Sequence, residues 1–166
     1  MYKTVVFDLD GTLLNTLTDL ADAGNRLCRK YGWPTHERQA YRYFVGNGIP
    51  KLVERLAPAD QRTPAVLEAA LADFKRDYGQ HLRDTTAPYP GIPEMLAKLK
   101  ANGVQLAVFS NKADALAKEV VKDYFGTQYF TIVRGQMTGV APKPAAEGTN
   151  ALLQALHADP ASTLYV

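Results

Sequence analysis

The chain has 166 residues, 46% hydrophobic and 22% charged, and its nineteen basic and seventeen acidic residues leave a formal charge of +2. That length suits one well-cored domain, alone or carrying an inserted module, and the composition excludes disordered and collagen-like classes. No Lys/Arg block is long enough to bind a polyanion and no apolar run approaches the roughly 20 residues of a membrane span, so neither nucleic acid nor a membrane is an expected partner.

Thr4-Val5-Val6-Phe7 is a β-branched and aromatic run, which predicts a buried strand, and it leads into the loop Asp8-Leu9-Asp10-Gly11-Thr12. From Leu17 to about Leu82 the apolar periodicity is helical: Leu20, Gly24, Leu27 and Tyr31 share one face, and Leu67, Leu71, Phe74 and Tyr78 share another. The single cysteine, Cys28, has no partner for an intramolecular disulfide, and packing is its expected role. Together with the absence of a targeting signal, this makes the cytoplasm the expected location. Gly32-Trp33-Pro34 and Gly46-Asn47-Gly48-Ile49-Pro50 divide the region into separate helices, and Thr63-Pro64 reads as an N-cap followed by proline at the first helical position. A stretch of this length is too long for a connection and predicts a helical module.

After Pro88-Tyr89-Pro90-Gly91 the pattern alternates. A helix over Ile92 to Asn102 is followed by a strand over Val104 to Phe109, and a helix from about Ala113 to Tyr124 by a strand near Phe130 to Val133. A last helix from about Ala146 to Leu156 precedes a strand at Thr163 to Val166. This order predicts an α/β fold: a Rossmann-like parallel sheet covered on both faces, formed by residues 1–15 and 88–166, with a helical bundle of residues 16–87 inserted.

Ligands of open parallel sheets bind at the carboxyl ends of the strands, and polar residues gather at three such ends. Asp8 and Asp10 are two positions apart on a segment read as extended, where two close carboxylates suit a hard cation. Ser110 and Asn111 follow the second core strand, with hydroxyl and amide groups that could bind phosphoryl oxygens. Lys143 stands between Pro142 and Pro144, which restrict the backbone that carries it. Taken singly, these features read as a turn, a helix cap and a solvated lysine.

Together, Asp8-Leu9-Asp10-Gly11-Thr12-Leu13, Ser110 and Lys143 resemble the first three motifs of the haloacid dehalogenase superfamily, and the helical insertion resembles its type 1 cap. Val45-Gly46-Asn47-Gly48, Tyr89-Pro90-Gly91 and Phe109-Ser110-Asn111-Lys112 look like the phosphoglycolate phosphatase branch. The resemblance implies hydrolysis of a small phosphorylated metabolite such as 2-phosphoglycolate, with Asp8 as nucleophile and Asp10 as acid and base. Mg²⁺ would be held by Asp8 and Asp10, and Leu9, Gly11, Thr12, Ser110, Asn111 and Lys143 would surround the phosphate. Gly46, Asn47, Gly48, Lys51 and Arg55 are the cap residues it suggests for substrate recognition. Asn15-Thr16 departs from the acidic residue and serine found in many relatives. Relatives also continue beyond a strand like Leu164-Tyr165-Val166 with a glycine and further acids, so the C-terminal part of the core and of the metal site is expected to be missing and the 166-residue form is expected to be weakly active or inactive. A β-phosphoglucomutase-like phosphotransferase would use the same core residues, and a non-catalytic or receiver-like phosphoacceptor is the reading from another class. Nothing in the sequence fixes the oligomeric state.

Overall fold

The computed structural model describes residues 2–166. In chain order the elements are β1 (Thr4–Phe7), β2 (Leu14–Asn15), α1 (Leu17–Tyr31), α2 (Tyr41–Phe44), α3 (Ile49–Leu56), α4 (Pro64–Gln80) and β3 (Ala87–Pro88). They continue with α5 (Ile92–Ala101), β4 (Gln105–Ala113), α6 (Asp114–Phe125), β5 (Phe130–Gln136), α7 (Ala146–Ala155) and β6 (Thr163–Tyr165). Two compact units result: the segments through Asn15 and from Ala87 to Val166 form one, and Thr16–Thr86 forms the other.

The first unit is built on a four-stranded sheet in the order β5-β4-β1-β6, with every pairing parallel. All of β1 and Leu106 to Phe109 of β4 are buried, as expected of strands covered on both faces. Val6, Ala107 and Phe109 pack with Leu152 of α7 and with Leu156. Alternation turns Val5, Phe7, Leu106 and Val108 to the opposite face, where they too are buried. Removing each large side chain from water contributes about 1.5–3 kcal/mol. β6 continues its pairing beyond Tyr165, because Val166 N–H donates to Val6 O at 2.9 Å and Asp8 N–H donates to Val166 O at 2.8 Å.

Two strands run further than the sequence predicts. β4 extends through Ser110, Asn111 and Lys112 to Ala113, and β5 reaches Gln136. Their pairing is irregular after Phe109 and resumes where Ala113 meets Gln136. Gly135 makes this possible, since a Cβ there would lie 2.4 Å from Lys112 O and 2.6 Å from Asp114 Cα. Its N–H donates to Asp114 Oδ1 at 2.9 Å. Ser110 and Asn111, which read as the cap of the next helix, are therefore strand residues.

A short antiparallel pair, Leu14 opposite Pro88 and Asn15 opposite Ala87, joins the two segments of this unit. Ala87, grouped with the helical module by sequence, belongs to the sheet unit through that pairing.

In the helical unit, α1 buries Leu20, Gly24, Leu27 and Cys28, and α4 buries Ala70, Phe74 and Tyr78. These helices pack on each other, and α3 packs on both through a face that includes Leu52, Val53 and Leu56. Leu67 and Leu71 are only half-buried. Thr63 caps α4, its Oγ1 accepting from Val66 N–H at 3.4 Å. Salt bridges join the two helices along their exposed sides: Arg26 forks onto Asp77, and Asp73 receives Lys30 and Tyr31. Near the ends of the unit, the buried Asp19 carboxylate accepts from the backbone N–H and the hydroxyl of both Thr85 and Thr86. Cys28 is fully buried, and loss of solvent pushes its thiol up to about 11. No helix among the described residues is long and apolar enough to cross a membrane.

Candidate active site

At the carboxyl end of β1 the chain bends rather than remaining extended. Leu9, wholly buried, anchors the bend, and its carbonyl accepts from the N–H groups of Thr12, Leu13 and Leu14 at 3.3, 3.1 and 3.0 Å. Gly11, at φ +87°, supplies the left-handed step that a residue with a Cβ would resist, and its N–H donates to Leu14 O at 2.8 Å. Leu9 N–H donates to Asp8 Oδ1 at 2.7 Å. The amides of Leu9, Gly11 and Thr12, which the family resemblance assigns to phosphate, thus have acceptors within the loop.

Each carboxylate of the loop meets its own lysine. Lys143 Nζ lies 2.9 Å from Asp8 Oδ1, the side chains being 15% and 32% exposed. Lys112 Nζ lies 3.1 Å from Asp10 Oδ1, with exposures of 3% and 22%. At 4 Å, opposite charges attract by ~1 kcal/mol in water but ~4 kcal/mol at an effective dielectric near 20, and the cost of desolvation opposes that gain. With this partial shelter both ion pairs tether the carboxylates at the strand end, and the one from Lys112 to Asp10 is also a directional hydrogen bond.

The lysines are themselves held. Lys112 follows the irregular pairing in β4, and its N–H donates to the buried Ser110 Oγ at 3.1 Å. Asn111 grips the backbone of Lys143 from both sides: its Oδ1 accepts from Lys143 N–H at 2.8 Å and its Nδ2 donates to Lys143 O at 3.2 Å. Lys143 Nζ also donates to Phe109 O at 2.8 Å and to Tyr165 Oη at 2.7 Å. Burial raises the Tyr165 phenol above its ordinary value, with Lys143 acting in the opposite direction.

Asp8, Asp10, Ser110, Asn111 and Lys143 therefore belong to one cluster in the sheet unit. Lys112 and Tyr165 join it, although neither was assigned a role from sequence. Gly46, Asn47, Gly48, Lys51 and Arg55 lie in the helical unit. There Lys51 pairs with Glu54 at 2.8 Å, while Arg55 donates to Phe44 O and to Asn47 Oδ1 at 2.8 and 2.9 Å. Both cations thus have partners inside their own unit and brace local structure. Among the described residues no group of three His, Cys, Asp or Glu side chains gathers to hold a metal, so the side-chain donors at the strand end are the carboxylates of Asp8 and Asp10.

The family model described as haloacid dehalogenase-like hydrolase matches residues 5–166. A phosphoglycolate phosphatase of Thiobacillus denitrificans is 33% identical over 145 residues, spanning 86% of this chain and 64% of that protein. One from Neisseria gonorrhoeae is 32% identical over 167 residues, spanning 99% of this chain and 71% of its own length. The chain thus spans roughly two thirds of such relatives, and less than that of the Thiobacillus protein. Among solved structures, a provisionally assigned phosphoglycolate phosphatase from Lactobacillus delbrueckii subsp. bulgaricus superposes with a TM-score of 0.91 at 27% identity, over 99% of this chain and 77% of that one. CbbY from Rhodobacter sphaeroides, solved in complex with phosphate, shares the fold with a TM-score of 0.78 at 21% identity, over 99% of this chain and 77% of its own.

Proposed function

The chain belongs to the haloacid dehalogenase-like hydrolases, and we propose that it hydrolyses a small acidic phosphomonoester such as 2-phosphoglycolate with Asp8 as nucleophile. One observation carries the proposal: two carboxylates two residues apart at the end of β1, each in contact with a different sheltered ammonium group. That arrangement supports a division of labour between a nucleophile and a proton carrier. The named activity of the relatives, at 32–33% identity, supports the substrate class.

Asp8 attacks phosphorus and the ester bond breaks, leaving an aspartyl phosphate and an alkoxide. Asp10 gives its proton to that alkoxide. It then takes a proton from the water that cleaves the acyl phosphate, so that phosphate leaves and both carboxyl groups return to their starting state. Lys112 fixes one oxygen of Asp10 and leaves the other to take up and pass on the proton. Lys143 orients Asp8 and offers positive charge to the phosphoryl oxygens, over which negative charge spreads in the transition state. Ser110 and Asn111 hold the two lysines in place from β4.

The donor set fits Mg²⁺, a hard ion that takes one or two carboxylates and keeps several waters. The Asp8 carboxylate and the Asp10 backbone carbonyl would hold it, and when bound it neutralises phosphate charge so that an anionic nucleophile can approach.

The test is release of phosphate and glycolate from 2-phosphoglycolate, with and without Mg²⁺, by the unsubstituted protein and by Asp8→Asn. Loss of release in a folded Asp8→Asn protein is expected, and unchanged release refutes the nucleophile. Preference for neutral sugar phosphates or nucleotides over 2-phosphoglycolate refutes the substrate class, and transfer of phosphate to a sugar in place of release refutes the hydrolase.

A further inference from the structure

An ammonium group has three N–H bonds; that of Lys143 forms an ion pair with Asp8 Oδ1 at 2.9 Å and donates hydrogen bonds to Phe109 O and Tyr165 Oη at 2.8 and 2.7 Å. The last two acceptors are linked, because the Tyr165 hydroxyl itself donates to Phe109 O at 3.2 Å. The phenol oxygen thus accepts from the lysine and donates to the carbonyl, closing a three-membered ring of hydrogen bonds. Phe109 stands where the pairing of β4 with β5 becomes irregular, and Tyr165 lies on β6 opposite Val6, so the two acceptors come from strands on either side of β1. The aromatic faces add to the seat, with Lys143 Nζ 5.6 Å from the Phe109 ring centroid and 5.4 Å from that of Tyr165.

We propose that Tyr165 is a positioning residue for Lys143: its phenol oxygen and the Phe109 carbonyl together seat the ammonium, so that its positive charge is held against the Asp8 carboxylate. A lysine side chain has four rotatable carbon–carbon bonds and would otherwise sample many positions. Fixing two of its three N–H directions before substrate arrives places that loss of freedom in folding rather than in the reaction. Tyr165 need not touch the substrate to affect the rate. Its consequence for catalysis rests on the phosphatase reading above, whereas the seat itself does not.

Two measurements separate these claims. The first follows hydrogen exchange of the Lys143 ammonium in ¹⁵N-labelled protein, its resonance assigned by its absence from Lys143→Met. Tyr165→Phe keeps the ring and removes the hydroxyl, and exchange should accelerate about tenfold, the scale of one hydrogen bond to a charged group. The second is steady-state kinetics with Mg²⁺ and 2-phosphoglycolate, in which Tyr165→Phe should lower kcat by about tenfold and change KM by less than about twofold, as for an interaction made chiefly in the transition state. Equal exchange rates in the two proteins overturn the seat, and an unchanged kcat overturns its catalytic role. Without turnover by the unsubstituted protein, the exchange measurement decides the seat alone.

Discussion

Replacing Gly135 by alanine tests how the two central strands reach the site. The added Cβ would lie 2.4 Å from Lys112 O, 2.6 Å from Asp114 Cα and 2.8 Å from Asp114 N, all backbone atoms that no rotamer change can move aside. An ordinary contact is about 3.5 Å, so paired backbone must separate by about 1 Å. Overpacking of this kind costs about 1–3 kcal/mol, and losing the bond from Gly135 N–H to the Asp114 carboxylate costs about 1.5–3 more, giving a destabilisation of about 2.5–6 kcal/mol. For a chain of this size each kcal/mol lowers the melting temperature by about 2–4 °C, so a fall of about 5–24 °C is expected in calorimetry. The natural control is Gly79→Ala on α4, where no atom lies within 4 Å of the new Cβ. That substitution should stabilise the protein by about 0.5–1 kcal/mol through helix propensity. A Gly135→Ala protein that melts within about 2 °C of the original would refute the close approach and the account of how Lys112 is placed.

Two further outcomes follow from the helical unit. Lys30 first, and then Tyr31, hold the Asp73 carboxyl down to about 2, against an ordinary value of 3.8. A lowered carboxyl stabilises the folded state fully above its unfolded value, so the advantage of the unsubstituted protein over Asp73→Asn should be constant above pH 3.8 and fade as pH falls toward about 2. Urea midpoints measured across that range check the sign, and an advantage that grows on acidification contradicts it. Cys28, buried with its thiol near 11, should resist a thiol reagent at pH 8 in the native protein and react fully in urea. Rapid native labelling would show that α1 does not bury it.

The strands of the sheet unit were legible because β1 and the first half of β4 are nearly continuous apolar runs, and Asp8 and Asp10 stand where one such run stops. The second half of β4 was hidden by chemistry that serves two structures equally well. Ser-Asn is a good helix cap, and the extended course of Ser110 to Ala113 comes with tertiary contacts, among them the close approach of Gly135 and the bonds of Asn111 to Lys143. Ending the strand at Phe109 concealed Lys112. Had it been continued, period-two alternation from Leu106 through Val108 and Ser110 would have put Lys112 on a buried register, an unusual place for a lysine and hence a signal. Tyr165 left no comparable trace, because its partners Phe109 and Lys143 are distant in sequence and converge only through sheet order. The charges of Lys51 and Arg55 were visible, and the pairing of Lys51 with Glu54 is an i,i+3 contact within α3, but the commitment of Arg55 to the Phe44–Asn47 turn depends on how the chain bends between α2 and α3.

The pair formed by β2 and β3 has a consequence for how such a chain can change over time. Leu14 meets Pro88 and Asn15 meets Ala87, so the polypeptide departs from the sheet unit and re-enters it at neighbouring points. Just inside that pair, Asp19 binds Thr85 and Thr86 and draws together the two ends of the helical unit. To the sheet, everything between is topologically the loop of a hairpin, and closing a loop costs only about 0.6 kcal/mol more for each doubling of its length. Insertions, deletions or wholesale exchange of helices between those points would leave the strand register unchanged. The strand pairings that position the cluster around Asp8 involve no residue of the helical unit.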